Sequence, residues 1–217
     1  FFSSPTYLQA VDILEEAGVE FYKLASAQVG TFPQLVEKVA QLQKPVILST
    51  GIVRYSELER TVRIFRQAGN AQFVILHCNS LYPVPYKKVH LQQMQVYAKM
   101  FNCPVGFSDH TDTIYASLAA VTMGAAVIER HFTIDKTLPV PDAAISILPF
   151  QFREMVAGIR AVEAMRTAGD RTEIEEEEAE FKESIRYRLI LKIAKKTGDA
   201  FERDDFRFLR HGTGVDC

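Results

Sequence analysis

Two stretches, VGFSDHTD at Val105–Asp112 and VIERHFTID at Val127–Asp135, decide the fold of this chain. Each begins as a short apolar run and ends in a charged cluster that contains one histidine, His110 or His131. The apolar halves are typical of strands that are buried on both faces of a parallel sheet. Two such strands, each followed by a histidine, indicate a recurring unit that carries polar side chains at the carboxyl end of its strand.

The same pattern recurs over most of the chain. Short apolar runs alternate with segments whose apolar residues return every three to four positions, as in Leu58, Val62 and Phe65. The repeat is roughly 25 to 30 residues long, which is the length of a strand–helix unit. The five runs read EFYKLAS, KPVILSTG, QFVILHCNS, CPVGFSDHT and AAVIERHFT.

The repeated unit predicts an α/β fold, a (β/α)8 TIM barrel. Polar residues follow every apolar run, and the active sites of such barrels lie at that rim. A doubly wound sheet is the alternative, but it would place chemistry at one switch point and not at every strand end. We interpret FFSS at Phe1–Ser4 as the end of an earlier strand, and we expect two further barrel strands before residue 1.

The composition changes after Met165. Residues 166–184 are charged and poor in aromatic side chains, which predicts a linker or an exposed helix. The following segment reads as strand, turn at Gly198, short helix and strand. We therefore predict a partial barrel over 1–165, a linker over 166–184 and the beginning of a small second domain over 185–217.

Bulk properties exclude some classes of function. The 217 residues are 47% hydrophobic with a net charge of -2, so the chain is globular and lacks the basic field of a nucleic-acid-binding protein. No apolar run approaches the roughly 20 residues needed to cross a membrane. Three cysteines without CxxC spacing, Cys78, Cys103 and Cys217, indicate a reducing compartment, so we expect the cytoplasm. The chain starts without an initiator methionine, and we expect it to be a piece of a longer protein.

The two histidines are candidate metal ligands. Side chains alternate along a strand, so Ser108 would share its face with His110, and Glu129 with His131. Two imidazoles on adjacent strand ends can hold a divalent ion with open positions for substrate and water. The alternative is that each histidine only caps its strand by hydrogen bonding. Glu129 would be a carboxylate inside the barrel, where it needs a cation or a bound water to orient.

Other polar residues at the strand ends allow several roles. Lys23 could hold a phosphate or carboxylate, form a Schiff base, or simply reach solvent. His77 is more typical of a hydrogen-bonded core histidine, and Tyr82 could line a sugar site or pack on the barrel top. The serines could bind an anion together, although each alone is typical of a turn or cap: Ser26, Ser49, Ser80 and Ser108.

Taken in order, the motifs resemble the sialic acid synthase family, which makes N-acetylneuraminic, legionaminic and pseudaminic acids. The motifs are YKLASAQ, KPVILSTG, ILHCNSLYPVPY, PVGFSDHT, GAAVIERHFTID and PDAAISI. Near the end, TGDAFERDDFRFLRHGTG resembles the beginning of that family's antifreeze-like (SAF) domain. The match covers nearly the whole chain, and six ordered motifs are far more specific than any one of them.

The resemblance implies a reaction and its site. Phosphoenolpyruvate would condense with the open-chain aldehyde of an N-acetylated amino sugar such as N-acetylmannosamine, giving a nine-carbon 2-keto acid and phosphate. A divalent metal, Mn²⁺ or Mg²⁺, would bind His110 and His131, and the enzyme would be a homodimer. Phosphoenolpyruvate would be held by Lys23, Ser26, Ser49, Ser80 and Ser108, and the amino sugar would be contacted by Tyr82 and Asp142. Beyond the resemblance, we infer that Glu129 would orient the attacking water.

One departure from the family pattern keeps other functions open. The family usually has an acidic residue where this chain has Gln28, which can hydrogen-bond a sugar hydroxyl but cannot carry charge. A degenerate paralogue that has lost its sugar site is therefore one alternative. A barrel lyase that forms a Schiff base at Lys23 is another, and borohydride trapping with a keto acid would detect it.

Overall fold

The computed structural model describes residues 1–210 and 212–216. Its internal contacts divide the chain into two compact units, 1–168 and 169–217. The first unit carries every candidate site residue, and each unit is described by itself. The predicted second domain includes His211 and Cys217, which lie outside the described residues. The inference drawn from the three cysteines is therefore not tested at Cys217.

The first unit alternates strands with helices. Its strands are β1 (Tyr22–Leu24), β2 (Val46–Ser49), β3 (Phe73–Cys78), β4 (Val105–Asp109) and β5 (Val127–Arg130). Its helices are α1 (Leu8–Glu16), α2 (Ser26–Thr31), α3 (Pro33–Gln41), α4 (Tyr55–Gln67), α5 (Gln93–Phe101), α6 (Tyr115–Thr122) and α7 (Pro149–Thr167), with a 3₁₀ turn at Tyr86–Lys88.

The five strands form one parallel sheet in the order β1-β2-β3-β4-β5. Consecutive parallel strands joined by helices are the arrangement of a (β/α)8 barrel, so the predicted fold class is confirmed. The strand order contains no reversal, which excludes the doubly wound alternative. Phe1–Ser4 forms no strand, contrary to our interpretation; the Ser3 carbonyl instead accepts a hydrogen bond from Lys23 N at 3.4 Å.

The core lies between the sheet and the helices that cover it. Alternate strand positions are fully buried, as at Leu24, Leu48 and Ile75. Burying each such side chain contributes on the order of 1.5–3 kcal/mol, which explains why short strands suffice. Helices α3 and α4 add their apolar stripes to this core: Leu35, Val36, Val39, Leu58, Val62 and Phe65.

In the sequence, Ser56 and Glu59 have the spacing of a capping box, which predicts that a helix begins directly after Ser56. This local prediction is wrong by two residues, because helix α4 already begins at Tyr55. The carboxylate that caps the helix is Glu57, whose Oε2 accepts a hydrogen bond from Arg54 N at 2.8 Å. An exposed helix end is decided by local hydrogen bonds, so spacing alone can misplace it.

The second unit is a small α+β segment. It contains a 3₁₀ turn at Glu176–Glu178, α8 (Ala179–Ile185), β6 (Tyr187–Leu191), a 3₁₀ turn at Arg203–Asp205 and β7 (Phe206–Arg210). Strands β6 and β7 pair antiparallel, and Gly198 turns the chain between them with a φ of 99°. Across the described parts of both units, no helix combines the length and apolar character needed to cross a membrane.

Candidate active site

A cavity of 290 Å³ opens at the carboxyl ends of the five strands. Side chains from every strand end reach it, because parallel strands direct their carboxyl ends to one rim. The lining residues are Lys23, Ala25, Ser26, Ala27, Ser49, Ile52, Cys78, Ser80, Tyr82, Ser108, His110, Glu129 and His131. Nine of the residues singled out from the sequence are therefore brought together in one place.

The two histidines face each other across neighbouring strands. Ser108 and Glu129 are paired in the register of β4 and β5, and each histidine follows two positions later on the same face. The ring centroids of His110 and His131 are 5.2 Å apart, with the planes tilted by 50°. Tyr82 packs against both rings, at 4.4 Å from His110 and edge-on at 5.8 Å from His131.

His110 is held in one tautomer. Its Nδ1 lies 2.7 Å from the Asn79 carbonyl oxygen, which only accepts, so Nδ1 carries the proton and Nε2 keeps its lone pair. The Ser108 hydroxyl is 3.3 Å from Nε2 but donates its proton to Glu129 at 2.7 Å. Burial lowers the pKa of His110 below its usual value. A neutral imidazole with a free nitrogen therefore faces the cavity.

His131 is more open to solvent. Its Nδ1 lies 3.6 Å from Asp142 Oδ2, and the carboxylate of Asp142 is 58% exposed. A carboxylate beside one ring nitrogen is the arrangement that commonly orients a metal-ligating histidine. In this position it leaves Nε2 as the nitrogen available to a ligand.

The residues fit a metal ion only as part of its ligand set. Among residues 1–210 and 212–216, no group of three or more histidine, cysteine, aspartate or glutamate side chains is placed to hold a metal. Two imidazole nitrogens would leave several coordination positions open. That donor set suits a catalytic ion that also binds substrate and water, and it does not suit a closed structural site.

Lys23 and Glu129 form an ion pair across the mouth of the sheet. The Lys23 ammonium lies 3.2 Å from both carboxylate oxygens, although the two residues are 106 positions apart in sequence. Glu129 also accepts the Ser108 hydroxyl proton. The half-buried carboxylate is thus balanced by a cation, which the cost of burying a charge requires.

The serine hydroxyls converge around a glycine. Gly51 N donates to Ser26 Oγ at 2.8 Å. A Cβ at Gly51 would meet Ser80 Oγ at 2.3 Å and Cys78 Sγ at 3.1 Å, so only glycine allows this approach. Ser49 Oγ is buried without a hydrogen-bond partner. Buried polar atoms are rarely left unpaired, and an unpaired hydroxyl at a cavity indicates a ligand that would complete it.

Comparison with known proteins places this site in a family. The profile described as NeuB family matches residues 1–171. The chain belongs to the NeuB family. This assignment confirms the resemblance seen in the motifs.

Individual relatives agree with the NeuB assignment. The chain is 41% identical over 216 residues to an uncharacterised protein of Methanocaldococcus jannaschii, covering 100% of this chain and 64% of that protein. It is 34% identical to the N,N'-diacetyllegionaminic acid synthase of Campylobacter jejuni, covering 99% and 64%. The crystal structure of a sialic acid synthetase from Leptospira borgpetersenii superposes with a TM-score of 0.75 at 32% identity, covering 85% and 65%. The chain thus spans less than two thirds of the length of these relatives.

Two predicted site residues of this NeuB-family chain do not line the cavity. Gln28 lies on α2, and its Oε1 is buried without a hydrogen-bond partner. Asp142 lies at the edge of the site, where it approaches His131 but remains mostly exposed. Their proposed contacts with a sugar stay predictions.

Sequence reasoning missed four lining residues, Ala25, Ala27, Ile52 and Cys78, and also Gly51, which lies against the hydroxyl cluster. Gly51 comes two residues after the end of β2 in the motif STG, and a glycine near a strand end is the signal that could have marked a close backbone approach. Cys78 ends β3, and alternation along the strand could have placed its thiol on the face opposite His77. Burial raises the pKa of Cys78, so this side chain is a neutral thiol in the cavity.

His77 is a core residue, as predicted. It is buried, its Nε2 donates to the Val89 carbonyl at 2.6 Å, and its ring stacks on Phe107 at 5.9 Å. A larger concavity of 580 Å³ lies elsewhere, on the outer surface along α4 and the end of α5. It contains no strand-end residue, so the smaller cavity remains the candidate site.

Proposed function

We propose that the protein condenses phosphoenolpyruvate with the aldehyde of an N-acetylated amino sugar. The products would be a nine-carbon 2-keto sugar acid and inorganic phosphate. NeuB-family membership and relatives named as synthases of such acids support this reaction class. N-acetylmannosamine is the simplest candidate for the acceptor sugar.

The observation that carries the proposal is the composition of the 290 Å³ cavity. One ammonium group, several hydroxyls and two imidazoles converge on a space near the lower end of the roughly 300–1,000 Å³ typical of small-molecule sites. Phosphoenolpyruvate is a small trianion with a phosphate and a carboxylate. It needs this combination of one strong cation and several hydrogen-bond donors.

The phosphoenolpyruvate anion would bind at the side of Lys23. The Ser49 hydroxyl has no partner and is free to donate. The Ser26 oxygen accepts from Gly51 N, and its hydroxyl also interacts with the Cys78 thiol, from which it could turn to an anion. Lys23 would turn from Glu129 towards the incoming anion while remaining within reach of both. Ser80 and Ser108 would complete the set from the neighbouring strand ends.

His110 and His131 would hold a divalent cation, Mn²⁺ or Mg²⁺, through their free ring nitrogens. The bound ion would supply Lewis-acid polarisation of the aldehyde oxygen. His110 is suited to this role because the Asn79 carbonyl already fixes the proton on its other nitrogen. Tyr82 would limit access of bulk water, since its ring covers both imidazoles.

Glu129 would position the water that adds to C2 of phosphoenolpyruvate. Its carboxylate lies between the Lys23 ammonium and the Ser108 hydroxyl, so its orientation is fixed from two sides. When Lys23 turns to the anion, one carboxylate oxygen becomes free to accept a proton from water. The sugar would be contacted by Tyr82 and Asp142 at the outer edge of the cavity, with Gln28 as a hydroxyl partner.

The alternative Schiff-base chemistry is less well supported. A Schiff base needs a neutral amine, whereas Lys23 is arranged as an ion-paired ammonium. A degenerate site that has lost its sugar pocket is supported only by Gln28, whose amide oxygen has no partner.

The decisive experiment follows the bridging oxygen of phosphoenolpyruvate in the full-length protein. Phosphoenolpyruvate labelled with ¹⁸O at the bridging position is incubated with N-acetylmannosamine or its relatives, with Mn²⁺, Mg²⁺ or a chelator. We expect release of labelled phosphate that depends on both the sugar and the metal, because the C–O bond breaks in this mechanism. Unlabelled phosphate, or no consumption of phosphoenolpyruvate with any amino sugar, would overturn the proposal. Borohydride trapping of a keto acid at Lys23 would support the lyase instead.

A further inference from the structure

Directly behind the two histidines lies a buried ion pair that the proposed reaction does not use. Asp109 is the last residue of β4 and Arg130 the last residue of β5, and the two are partners in the strand register. Arg130 Nη1 lies 2.8 Å from Asp109 Oδ1, and the side chains are only 1% and 0% exposed. Each residue immediately precedes one of the histidines, so the pair lies on the opposite face of the same two strand ends.

The Asp109 carboxylate is bonded on both sides. Its Oδ1 accepts Thr111 N at 2.8 Å, which closes a turn around the backbone of His110. Its Oδ2 accepts the Ser117 hydroxyl of α6 at 2.7 Å. The backbone that carries His110 is therefore tied to the start of the next helix.

Arg130 braces the same turn from the neighbouring strand. Its Nη2 donates to the carbonyl of Thr111. Its Nε and Nη1 make no directed hydrogen bond, so the contact of Nη1 with Asp109 is one of charge. The directional bond of the guanidinium is thus made to the backbone beside His110, from the residue next to His131. Both the N–H and the C=O of Thr111 are fixed by this pair.

Stability alone does not explain such an arrangement. A buried ion pair seldom stabilises a fold more than apolar side chains of similar size, because both charges must be desolvated. Directed bonds to one backbone turn instead restrict geometry. Chemistry at a metal or a reacting carbonyl is sensitive to shifts below about 1 Å. The benefit of these bonds is therefore a fixed distance between the two imidazole rings.

We propose that Asp109 and Arg130 are positioning residues that set the spacing and orientation of His110 and His131. The inference rests on the proposed function for its catalytic consequence, but its structural claim concerns only the two rings. Arg130 would act through backbone atoms and would not touch the substrate.

The test uses the full-length protein with Arg130→Met, Arg130→Lys and Asp109→Asn. Arg130→Lys keeps the positive charge but loses the planar guanidinium group. It therefore separates the effect of charge from the effect of the directed hydrogen bond. The matched control is Asn70→Ala. Asn70 is also buried and closes an equivalent turn, with Oδ1 accepting Gln72 N at 2.9 Å, but it lies at the opposite end of the sheet.

The first readout needs neither metal nor turnover. Imidazole ¹⁵N resonances of metal-free protein are assigned with His110→Gln and His131→Gln. We expect Arg130→Met to shift the signals of both rings and to weaken the Nδ1–H signal of His110, with a smaller change in Arg130→Lys. Asn70→Ala should leave them unchanged. Unchanged ring signals in Arg130→Met, or in Arg130→Lys should the first variant not fold, overturn the proposal.

The second readout is the division between kcat and KM. We expect kcat and Mn²⁺ affinity to fall about 10- to 100-fold in Arg130→Met, the usual effect of removing a residue that orients metal ligands. KM for phosphoenolpyruvate should change little. An increase in KM for phosphoenolpyruvate with unchanged kcat would contradict a positioning role. Absence of turnover in the wild-type protein would refute the proposed reaction, while the ring signals would still decide the claim about positioning.

Discussion

The buried polar groups at the two ends of strand β3 differ in whether they have hydrogen-bond partners. At the start, Asn70 Nδ2 donates to the carbonyls of Lys44 and Ala40 at 3.0 and 3.3 Å, and its Oδ1 accepts Gln72 N. At the end, His77 Nδ1 and Asn79 Oδ1 are buried without hydrogen-bond partners. One strand thus begins in a fully paired network and ends in an incomplete one.

The difference favours the carboxyl ends of the strands as the end of the barrel that binds a ligand. Unpaired buried groups cost about 1–3 kcal/mol each, so a fold accumulates them only where something else is gained. Ser49 Oγ, on the neighbouring strand, is unpaired at the same end. We therefore expect the paired end to serve stability and the unpaired end to bind a ligand.

The largest expected effect comes from removing a histidine at the unpaired end. His110→Ala or His131→Ala in the full-length protein should reduce metal-dependent turnover by more than the roughly 100-fold that loss of an orienting partner costs. The thermal unfolding midpoint should change little in His131→Ala, because that side chain is 31% exposed. It should fall in His110→Ala, because the buried His110 ring is the donor to the Asn79 carbonyl. Turnover and thermal unfolding are measured together on both variants.

The matched substitution at the paired end should lower stability and leave turnover unchanged. Asn70→Ala removes the partner of the Lys44 carbonyl and of the Gln72 amide, so it should cost about 1–3 kcal/mol of unfolding free energy. Turnover per folded molecule should stay near that of the wild type. Near-normal activity in either histidine variant would refute the metal assignment and remove the contrast between the two ends.

Lys23→Ala should have the next largest effect. Loss of a charged donor to an anion costs about 1.5–3 kcal/mol, or about 10- to 100-fold in affinity. We expect KM for phosphoenolpyruvate to rise by this factor and KM for the sugar to rise much less, in steady-state assays that vary each substrate in turn. A larger rise for the sugar would contradict the placement of the anion beside Lys23.

Gly51→Ala adds one methyl group and so tests whether the serine hydroxyls around Gly51 bind the anion. The new Cβ would lie 2.3 Å from Ser80 Oγ, so Ser80 must move away from the cavity. We expect KM for phosphoenolpyruvate to rise about tenfold, the equivalent of about 1.4 kcal/mol. Gly30→Ala is the control, because its Cβ would meet Glu57 Oε2 only at 3.4 Å, an ordinary contact. Equal kinetics for the two variants would show that the hydroxyl cluster does not bind the anion.

Much of the barrel was predictable from local pattern. Near-continuous apolar runs identified the strands, and their order along the chain made β4 and β5 neighbours. Alternation then placed His110 and His131 on one face, 5.2 Å apart. These steps need only short-range information, since strand period and connection length are local properties.

The contacts that close the site were not predictable in the same way. The Lys23–Glu129 pair joins β1 to β5, and it depends on the curvature of the whole sheet, which no single segment specifies. The brace from Arg130 to the Thr111 carbonyl depends on side-chain rotamers behind the sheet. Gln28 shows the converse, because its motif position suggested a sugar contact but its side chain is not part of the cavity lining, so that contact stays a prediction.

The smallest expected effect is a pH dependence of stability at the end of β3. Burial is the main cause that lowers the pKa of His77 from 6.5, against the raising effect of its bond to Val89, and the nearby His90 lowers it further. Its Nε2 donates to Val89, so an added proton would go to Nδ1, which has no acceptor. The unfolded chain therefore binds this proton more readily than the folded one. The contribution of neutral His77 to the free energy of unfolding is fully present above about pH 6.5. It decreases as the pH drops below that value, by at most about 1.4 kcal/mol per pH unit.

The measurement is the free energy of unfolding by denaturant at pH 7.5 and 5.5, for the full-length wild type and His77→Gln. The glutamine amide can still donate to the Val89 carbonyl but does not titrate, so the difference in stability between the two pH values should be smaller in the variant than in the wild type. His110, whose pKa is also lowered by burial, contributes to the remainder, and His110→Gln measures that share separately. An unchanged pH difference in His77→Gln would mean that the unpaired nitrogen has no energetic cost. The contrast between the two ends of β3 would then rest on the cavity residues alone.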